Sequence, residues 1–279
     1  YTIEKGLGPK WRWLAVFFAS FAIICSFATG NAIQAFTVSD QIYSEVTQVV
    51  GTASFLTIKH QIFEGFALSF QQVINGLILA ALVGLVIIGG IKRIGKVTGY
   101  LAPFMAIFYV SAALLILVAY LDEIIPSFGL IFNMAFNPPA ELAGVGAGSF
   151  LIFLNTMLWG IKRGLYSNEA GQGSAAIAHS TAKTKYAVRE GAVAMLGPFI
   201  DTIVICTLTG LVILVTDAWH NTEFYVNRID PNFQGELLNA SLLTSLAFKT
   251  GLGWLFSYGD KIVTLGVLLF AVSTMISWS

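Results

Sequence analysis

Apolar stretches long enough to cross a bilayer alternate with polar segments along most of this chain. Such continuous hydropathy is typical of membrane helices, whereas helices at the surface of a soluble domain keep one polar face. The pattern predicts an all-α polytopic membrane protein with about six spans. We place these spans at residues 13–38, 73–91, 101–121, 149–182, 191–216 and 262–279.

The polar segments between the spans predict the orientation of the chain. Short loops rich in lysine and arginine mark the cytoplasmic side, and basic residues cluster at 10–12, 92–96 and 183–189. The first span therefore starts inside, and loop 217–261 is expected to be extracellular. We expect segment 40–72 to be a surface loop with an amphipathic helix over 58–70, and the Gly144-x-Gly146-x-Gly148 pattern to be a flexible entry to the fourth span.

The composition agrees with a membrane protein, because 56% of the residues are hydrophobic, 11% are charged and the mean hydropathy is +0.78. The net charge is zero, so nothing favours nucleic acid as a partner. Cys25 and Cys206 lie in apolar spans, where they are expected to fill space and not to form a disulfide or a metal site. The chain begins without methionine and ends in an apolar segment, so we expect a fragment of a longer protein.

The stretch 160–182 interrupts the fourth span with residues that disfavour a helix. A break in a membrane helix is tolerated only where protein or a water-filled cavity surrounds it, and transporters commonly build their sites at such breaks. We therefore predict two half-helices with a binding site at the break; the alternative is a re-entrant or cytoplasmic loop between two whole helices. The candidate residues are Ser167, Asn168, Glu169, Gly171, Gly173 and Ser174.

Polar residues also occur inside two other spans. Gly30, Asn31 and Gln34 lie close to one face of the first span at helical spacing, where they would line a cavity or form hydrogen bonds to a partner helix. Asp201 lies beside Pro198 in the fifth span, and a carboxylate inside the membrane is costly enough to suggest a function. The alternative is that Asp201 pairs with Lys162, Arg163 or the backbone beside Pro198.

Three motifs resemble those of the alanine or glycine:cation symporters. They are Arg-Gly-Leu-Tyr-Ser-Asn-Glu-Ala-Gly-Gln-Gly-Ser at 163–174, Ala-His-Ser-Thr-Ala-Lys-Thr at 178–184 and Gly-Pro-Phe-Ile-Asp-Thr-Ile-Val-Ile-Cys-Thr at 197–207. Residues 1–8 and 27–34 resemble the same family, which belongs to the amino acid/polyamine transporter superfamily. The resemblance implies an inverted-repeat fold of five plus five helices, of which residues 1–279 would be a partial transporter domain holding the third to eighth helices. The first helix, which supplies much of the coordination in this fold, would lie outside the chain, so we would not expect the fragment to transport by itself.

A zwitterionic amino acid needs donors for its carboxylate and acceptors for its ammonium group, because unpaired buried charge is costly. A half-helix beginning near Ser174 would offer backbone N–H groups to the carboxylate, and carbonyls near Ser167 would face the cation. The resemblance implies that Asn31, Gln34, Thr274 and Trp278 line the same pocket as Gly30 and the break, with Trp278 limiting the volume of the substrate.

The resemblance also implies that Ser273 and Thr274 help to hold sodium, although both hydroxyls could instead bond back to the preceding helical turn. Glu169 would bind a proton or a cation, or it would pair with Lys162 or Arg163. No cofactor is expected beyond the co-transported sodium ion, or a proton in its place.

We expect secondary active symport of a small neutral amino acid, alanine or glycine, with sodium by alternating access, in a multi-pass protein of the cell (inner) membrane. The expected partners are the amino acid, sodium and the lipid bilayer. An ion channel or a non-transporting structural or sensor subunit is the alternative. An enzyme is not expected, because Ser174 and His179 would point in different directions on a helix and the chain has no His-Glu-x-x-His motif.

Overall fold

Helices account for most of the computed structural model of the chain. The structure describes residues 2–51, 54–63, 66–136, 147–168, 171, 173–180, 182–222, 238, 240–255 and 257–278. The α-helices are α1 (Thr2–Leu7), α2 (Arg12–Cys25), α3 (Ile33–Val50), α4 (Phe70–Ile87), α5 (Gly90–Ala119), α6 (Leu121–Phe136), α7 (Ala147–Tyr166), α8 (Ala175–His179), α9 (Ala187–Pro198), α10 (Thr207–Val215), α11 (Ala240–Leu252) and α12 (Gly259–Trp278). Short 3₁₀ turns occupy Pro9–Trp11 and Ala218–Asn221.

Two π-helices replace regular turns inside long helices. The first, Ser26–Ala32, joins α2 to α3, and the second, Phe199–Cys206, joins α9 to α10. Pro198 immediately precedes the second, and proline removes one backbone hydrogen bond from the helix. A π-helical turn has one residue more than an α-helical turn, and such turns often occur at functional sites. Both π-helices carry candidate site residues.

In the described part of the chain, five helical segments are long and apolar enough to cross a membrane by length and composition: Pro9–Val50, Phe70–Ile87, Arg93–Ala119, Ala187–Val215 and Gly259–Trp278. Their outer surfaces are apolar, as in α2, where Phe17 and Phe21 are 57% and 63% exposed. These properties confirm the expected class, an all-α polytopic membrane protein. Helix α7 does not belong to these five in the part of the chain that the structure describes, so the count of six spans stays a prediction.

The predicted loop over 40–72 is wrong in two respects. Helix α3 continues to Val50, so the first apolar segment is longer than the predicted 13–38. The expected amphipathic helix over 58–70 is instead an antiparallel hairpin of β1 (Lys59–Phe63) and β2 (Phe66–Ser69), in which Lys59 pairs with Ser69 and His60 with Leu68. The apolar spacing in this segment suits a helix face, but Gly65 lies in the middle of it and glycine weakens a helix.

Hydrogen bonds hold the hairpin connection against its neighbouring helices. The Tyr43 hydroxyl donates to the carbonyl of Thr57 at 2.9 Å, and the backbone N–H of Gln71 donates to the carbonyl of Leu56 at 3.1 Å. Ser69 caps α4 in a capping box with Gln72, in which each side chain accepts from the other residue's backbone N–H. These contacts fix where α4 begins.

Helices also form in two segments to which the sequence assigned no span. Residues 121–136 form α6. Gly144 and Gly146, expected to form a flexible entry to the fourth span, lie outside the described residues. The predicted loop 217–261 contains α11, whose Phe248 and Leu252 are fully buried. Helix α11 packs against α10, and this tertiary contact is what a search for membrane-length apolar runs overlooks.

The chain divides into two compact units. The first comprises Tyr1–Tyr109 and Val263–Ser279, and the second comprises Val110–Ile262. The core of the first unit is formed by Val38 of α3, Leu79 and Val83 of α4, and Ala271, Met275 and Ile276 of α12. In the second unit Gly251 lets α11 approach the buried Ile116, because a Cβ at Gly251 would lie 2.7 Å from Ile116 Cγ2.

Candidate functional site

Gly30 and Trp278 lie in direct contact in the first unit. Gly30 is buried in the first π-helix, and a Cβ built on it would lie 2.6 Å from Trp278 Cβ and 2.7 Å from Trp278 Cγ. Real Cβ atoms almost never approach that closely. Only glycine therefore allows the π-helix to lie against the end of α12, and the indole of Trp278 forms a wall beside it.

The neighbouring amides of the first span are half-buried. Asn31 Nδ2 donates to the carbonyl of Ser26 at 3.0 Å, so this hydrogen bond lies within the π-helix and not between helices. Gln34 follows in the first turn of α3. Both amides lie near Gly30 in sequence, on the same helical segment that contacts Trp278.

The candidate sodium residues lie at the end of α12. Ser273 is buried and Thr274 is half-buried. The Ser277 hydroxyl donates back to the carbonyl of Ser273 at 2.9 Å, which uses that carbonyl within the helix. The structure thus brings Gly30, Trp278 and the Ser273–Thr274 pair into two adjacent helical segments of one unit.

Helix α7 ends at Tyr166 and α8 begins at Ala175; between them the structure describes Ser167, Asn168, Gly171, Gly173 and Ser174, of which Gly171 is helical. Helix α8 has five residues, little more than one turn, so its dipole is small compared with that of a full half-helix. Gly173 has a φ of 78°, in the left-handed region that favours glycine. Ser174 is buried, and its carbonyl accepts from the N–H of Ile177 at 2.8 Å.

Side chains hold the start of this break together. The Ser167 hydroxyl donates to the carbonyl of Gly164 at 2.9 Å, and Asn168 Oδ1 accepts from the N–H of Gly171 at 3.1 Å. A Cβ at Gly171 would collide with the carbonyl of Leu165, so this position requires glycine. Ser167 and Asn168 thus hold the end of α7 and the amide of Gly171 through hydrogen bonds of their own side chains.

Thr202, which the sequence did not single out, joins these hydrogen bonds from the second π-helix. Asn168 Nδ2 donates to Thr202 Oγ1 at 2.8 Å, and the hydroxyls of Ser167 and Thr202 lie 3.1 Å apart. The sequence signal available was the resemblance over 197–207, which includes Thr202; the candidate chosen there was Asp201, one residue away, because a carboxylate inside a span is costly.

The charged residues near the break do not form the ion pairs considered from the sequence. Among the described residues no salt bridge joins Asp201 to Lys162 or Arg163; Asp201 is half-buried in the second π-helix, and both cations are exposed. Lys162 Nζ lies 5.1 Å from the centre of the Trp159 ring, a cation–π arrangement. Glu169 lies outside the described residues, so its pairing stays a prediction.

A short contact between a histidine and a carboxylate follows the break in sequence. His179 Nδ1 lies 2.5 Å from Glu190 Oε1 and joins α8 to α9. Both residues line a cavity of about 640 Å³ together with Thr184, Lys185 and several alanines. The pair ties the basic loop 183–189 to the helices on each side of it.

A series of side-chain hydrogen bonds connects α3 to α12 in the first unit. Gln41 Nε2 donates to Thr264 Oγ1 at 3.0 Å, and Thr264 Oγ1 donates to Glu45 Oε1 at 2.7 Å. Gln41 is only 1% exposed. These hydrogen bonds and the contact between Gly30 and Trp278 lie at two different positions along α12. Together they hold α12 antiparallel to the helical segment Pro9–Val50.

The candidate residues thus form two groups. Gly30, Asn31, Gln34, Ser273, Thr274 and Trp278 belong to the first unit, and Ser167, Asn168, Gly171, Gly173, Ser174 and Asp201 to the second. Within each group the structure brings several of them together. The expectation that both groups line one pocket stays a prediction.

Comparison with known proteins identifies the chain. The model of the sodium:alanine symporter family matches residues 1–279. This chain belongs to the sodium:alanine symporter family. The match confirms the resemblance carried by the motifs at 163–174, 178–184 and 197–207.

Curated relatives of this family member carry names of amino acid transporters. The chain is 38% identical to the sodium/alanine symporter AgcS of Methanococcus maripaludis, with all of the chain and 52% of that protein covered. It is 30% identical to the putative sodium/proton-dependent alanine carrier protein YrbD of Bacillus subtilis, with all of the chain and 50% of that protein covered. Over 79% of the chain it is 32% identical to the probable sodium/glutamine symporter GlnT of Bacillus subtilis, 40% of which is covered.

The chain spans about half the length of the curated relatives that it matches over its whole length. These relatives are transporters and not enzymes, and the apolar helices agree with an integral multi-pass membrane protein of this family. The family description names sodium and alanine, which matches the expected co-transported ion and substrate.

Proposed function

We propose that the protein carrying this chain is a secondary active symporter that moves a small neutral amino acid, alanine or glycine, together with sodium. The observation that carries the proposal is the match of the family model to residues 1–279. The names of the relatives support alanine as substrate and sodium as the coupling ion, and one of them also names a proton. The alternative coupling ion is therefore a proton.

In this proposal the contact between Gly30 and Trp278 limits the size of the substrate. The Cβ and Cγ of Trp278 lie too close to Gly30 to leave room for a side chain there, so the indole is held in a fixed place. A pocket closed by such a wall accepts a methyl group or a hydrogen and excludes larger side chains. Asn31, Gln34 and Thr274 supply polar contacts to the substrate.

The break between α7 and α8 supplies further polar groups. Ser167, Asn168, Gly171, Gly173 and Ser174 bind the charged ends of the amino acid, with the glycines allowing close approach to the backbone. The hydrogen bonds at Ser167 and Asn168 support this role, because preorganised groups lose less conformational freedom when they bind. Ser273 and Thr274 act as oxygen ligands of sodium, and Glu169 and Asp201 are the acidic groups available for cation or proton coupling.

Transport follows alternating access, in which one group of helices rocks against another around the bound substrate. The direct test is uptake of labelled alanine into liposomes that contain the full-length protein, with and without an inward sodium gradient. We expect saturable accumulation that depends on the gradient. Conductance that does not saturate with alanine would instead indicate a channel, and no uptake with sodium, protons or lithium would indicate a structural or sensor subunit.

Two variants connect the test to the site. Replacing Trp278 or Gln34 with alanine should weaken substrate binding. Trp254→Ala is the matched control, because Trp254 is 62% exposed and has no part in the proposed site. Wild-type binding in both Trp278→Ala and Gln34→Ala would remove these residues from the site while leaving the symport proposal intact.

A further inference from the structure

A continuous series of hydrogen bonds crosses the beginning of the break in the second unit, and it includes one side chain from another helix. The N–H of Gly171 donates to Asn168 Oδ1 at 3.1 Å, and Asn168 Nδ2 donates to Thr202 Oγ1 at 2.8 Å. The Ser167 hydroxyl donates to the carbonyl of Gly164 at 2.9 Å. Between these bonds, the hydroxyls of Thr202 and Ser167 lie 3.1 Å apart.

The chemistry of the groups fixes the direction of the bond between the two hydroxyls. A hydroxyl has one hydrogen to donate and two lone pairs to accept. Ser167 already donates its hydrogen to Gly164, so Thr202 must donate to Ser167 while it accepts from Asn168. Thr202 is thus used as donor and as acceptor in one series, and no apolar side chain could replace either function.

The position of this series explains why it matters for the break. The last carbonyls of a helix have no partner inside the helix and need one outside it. The carbonyl of Gly164, in the last turn of α7, finds that partner in Ser167, and the amide of Gly171 finds its own in Asn168. Thr202 connects these two local turns to the π-helix Phe199–Cys206.

We propose that Thr202 is a positioning residue, which holds Ser167 and Asn168 in the conformation that the site requires. This inference rests on the proposed function for its consequence in transport, but its structural part is independent of transport. Without the Thr202 hydroxyl, Asn168 Nδ2 loses its shorter hydrogen bond and keeps the longer one to Ser167 Oγ at 3.3 Å, while Ser167 loses a donor; both residues lie at a helix end. The turn then opens more often.

The test uses hydrogen–deuterium exchange of the full-length protein, followed by peptides that cover residues 164–175. Thr202→Val keeps the shape of the side chain and removes the hydroxyl, and Thr202→Ser keeps the hydroxyl. Thr209→Val is the matched control on the same helical segment, because the Thr209 hydroxyl donates back to the carbonyl of Ile205 at 2.7 Å.

We expect Thr202→Val to accelerate exchange in these peptides by about 5- to 30-fold, the factor for one or two lost hydrogen bonds, with other peptides unchanged. Thr202→Ser and Thr209→Val should remain within about twofold of wild type. Unchanged exchange in Thr202→Val would overturn the proposal, and so would equal acceleration in Thr209→Val. If Thr202→Val does not fold, Thr202→Ala removes the same hydroxyl; local acceleration relative to Thr202→Ser supports the proposal, and wild-type exchange overturns it.

Alanine uptake separates this inference from the proposed function. Thr202→Val should raise the KM for alanine by more than it lowers the maximal rate, and Thr202→Ser should restore it. If the wild-type protein shows no uptake but Thr202→Val still accelerates local exchange, the symport proposal fails and the positioning role stands. If wild-type uptake is present and Thr202→Val changes neither KM nor exchange, the positioning role fails alone.

Discussion

Gly30→Ala offers the sharpest test of the contact between the first π-helix and α12. The added Cβ would lie 2.6 Å from Trp278 Cβ, 2.7 Å from Cγ and 3.1 Å from Cδ2. Rotating the indole cannot relieve the clash, because the nearest atom is the Cβ itself and its position is set by the backbone. The two helical segments must therefore separate.

The size of the effect follows from these distances. Carbon atoms pack at about 3.5–4.0 Å, so the segments must move apart by about 1 Å. Overpacking of this kind costs about 1–3 kcal/mol, and the higher helix propensity of alanine offsets about 1 kcal/mol of it. We expect the unfolding free energy to fall by up to about 2 kcal/mol, and the KM for alanine to rise by about 5- to 30-fold as Trp278 is displaced.

The assay combines thermal unfolding in detergent with sodium-driven alanine uptake in liposomes, both on the full-length protein. Gly84→Ala is the matched control, because Gly84 lies in α4 of the same unit and a Cβ there meets nothing within 4 Å. It should keep the wild-type KM and unfold at the wild-type temperature or slightly above. Adding Trp278→Phe to Gly30→Ala should not rescue the protein, because phenylalanine keeps the clashing Cβ.

A Gly30→Ala protein with wild-type KM and wild-type unfolding would show that the two segments do not approach as described. Loss of stability with an unchanged KM would have a different meaning. It would keep the contact but remove the Trp278 wall from the proposed substrate site.

Three further changes test contacts elsewhere in the chain. Thr264→Val removes the hydroxyl between Gln41 and Glu45 and should lower the unfolding free energy by about 1–3 kcal/mol in thermal unfolding, whereas Thr98→Val, which loses only a bond back to its own helix, should have a smaller effect. His179→Ala breaks the partly exposed pair with Glu190 and should speed tryptic cleavage in loop 183–189 by no more than about fivefold, with Ser180→Ala as the control; an unchanged rate would show that the pair does not hold this loop. Gly251→Ala should cost about 1–3 kcal/mol in thermal unfolding because its Cβ meets Ile116, and the loss in the double variant with Ile116→Ala should be smaller than the sum of the two single losses.

The class of the fold was predictable because the bilayer imposes a simple requirement on length and polarity. The apolar runs near 73–91, 101–121, 191–216 and 262–279 each overlap a helix long and apolar enough to cross a membrane, although the helix over 101–121 begins as early as Gly90. A capping box marks the start of α4 at Ser69. The errors lie in segments whose structure is not set by the length and polarity that a bilayer requires. The hairpin Lys59–Ser69 has apolar spacing that also suits a helix. Helix α11 is stabilised by packing against another helix, and it is too short to be found as a membrane span.

The candidate site was predictable to the extent that local chemistry determines it. Glycine, serine and asparagine at 164–174 disfavour a helix wherever they occur, and the family motif covers the same residues. The partner of the turn was not predictable in this way. Thr202 lies 35 residues from Ser167, and helical periodicity within one segment says nothing about which side chain of another segment it meets.

Both π-helices hold a small or polar residue at a contact that the proposed site depends on. In Ser26–Ala32 it is Gly30, where the absence of a side chain lets Trp278 approach, and in Phe199–Cys206 it is Thr202, whose hydroxyl completes the turn at Ser167. A regular helix would present other side chains at these points, because an added residue rotates everything that follows it by about 100°. The two π-helices therefore set which side chains face the neighbouring segment. A change that restores regular α-helical geometry in either one should disturb the contact of Gly30 with Trp278 or of Thr202 with Ser167, even if Gly30 and Thr202 are kept.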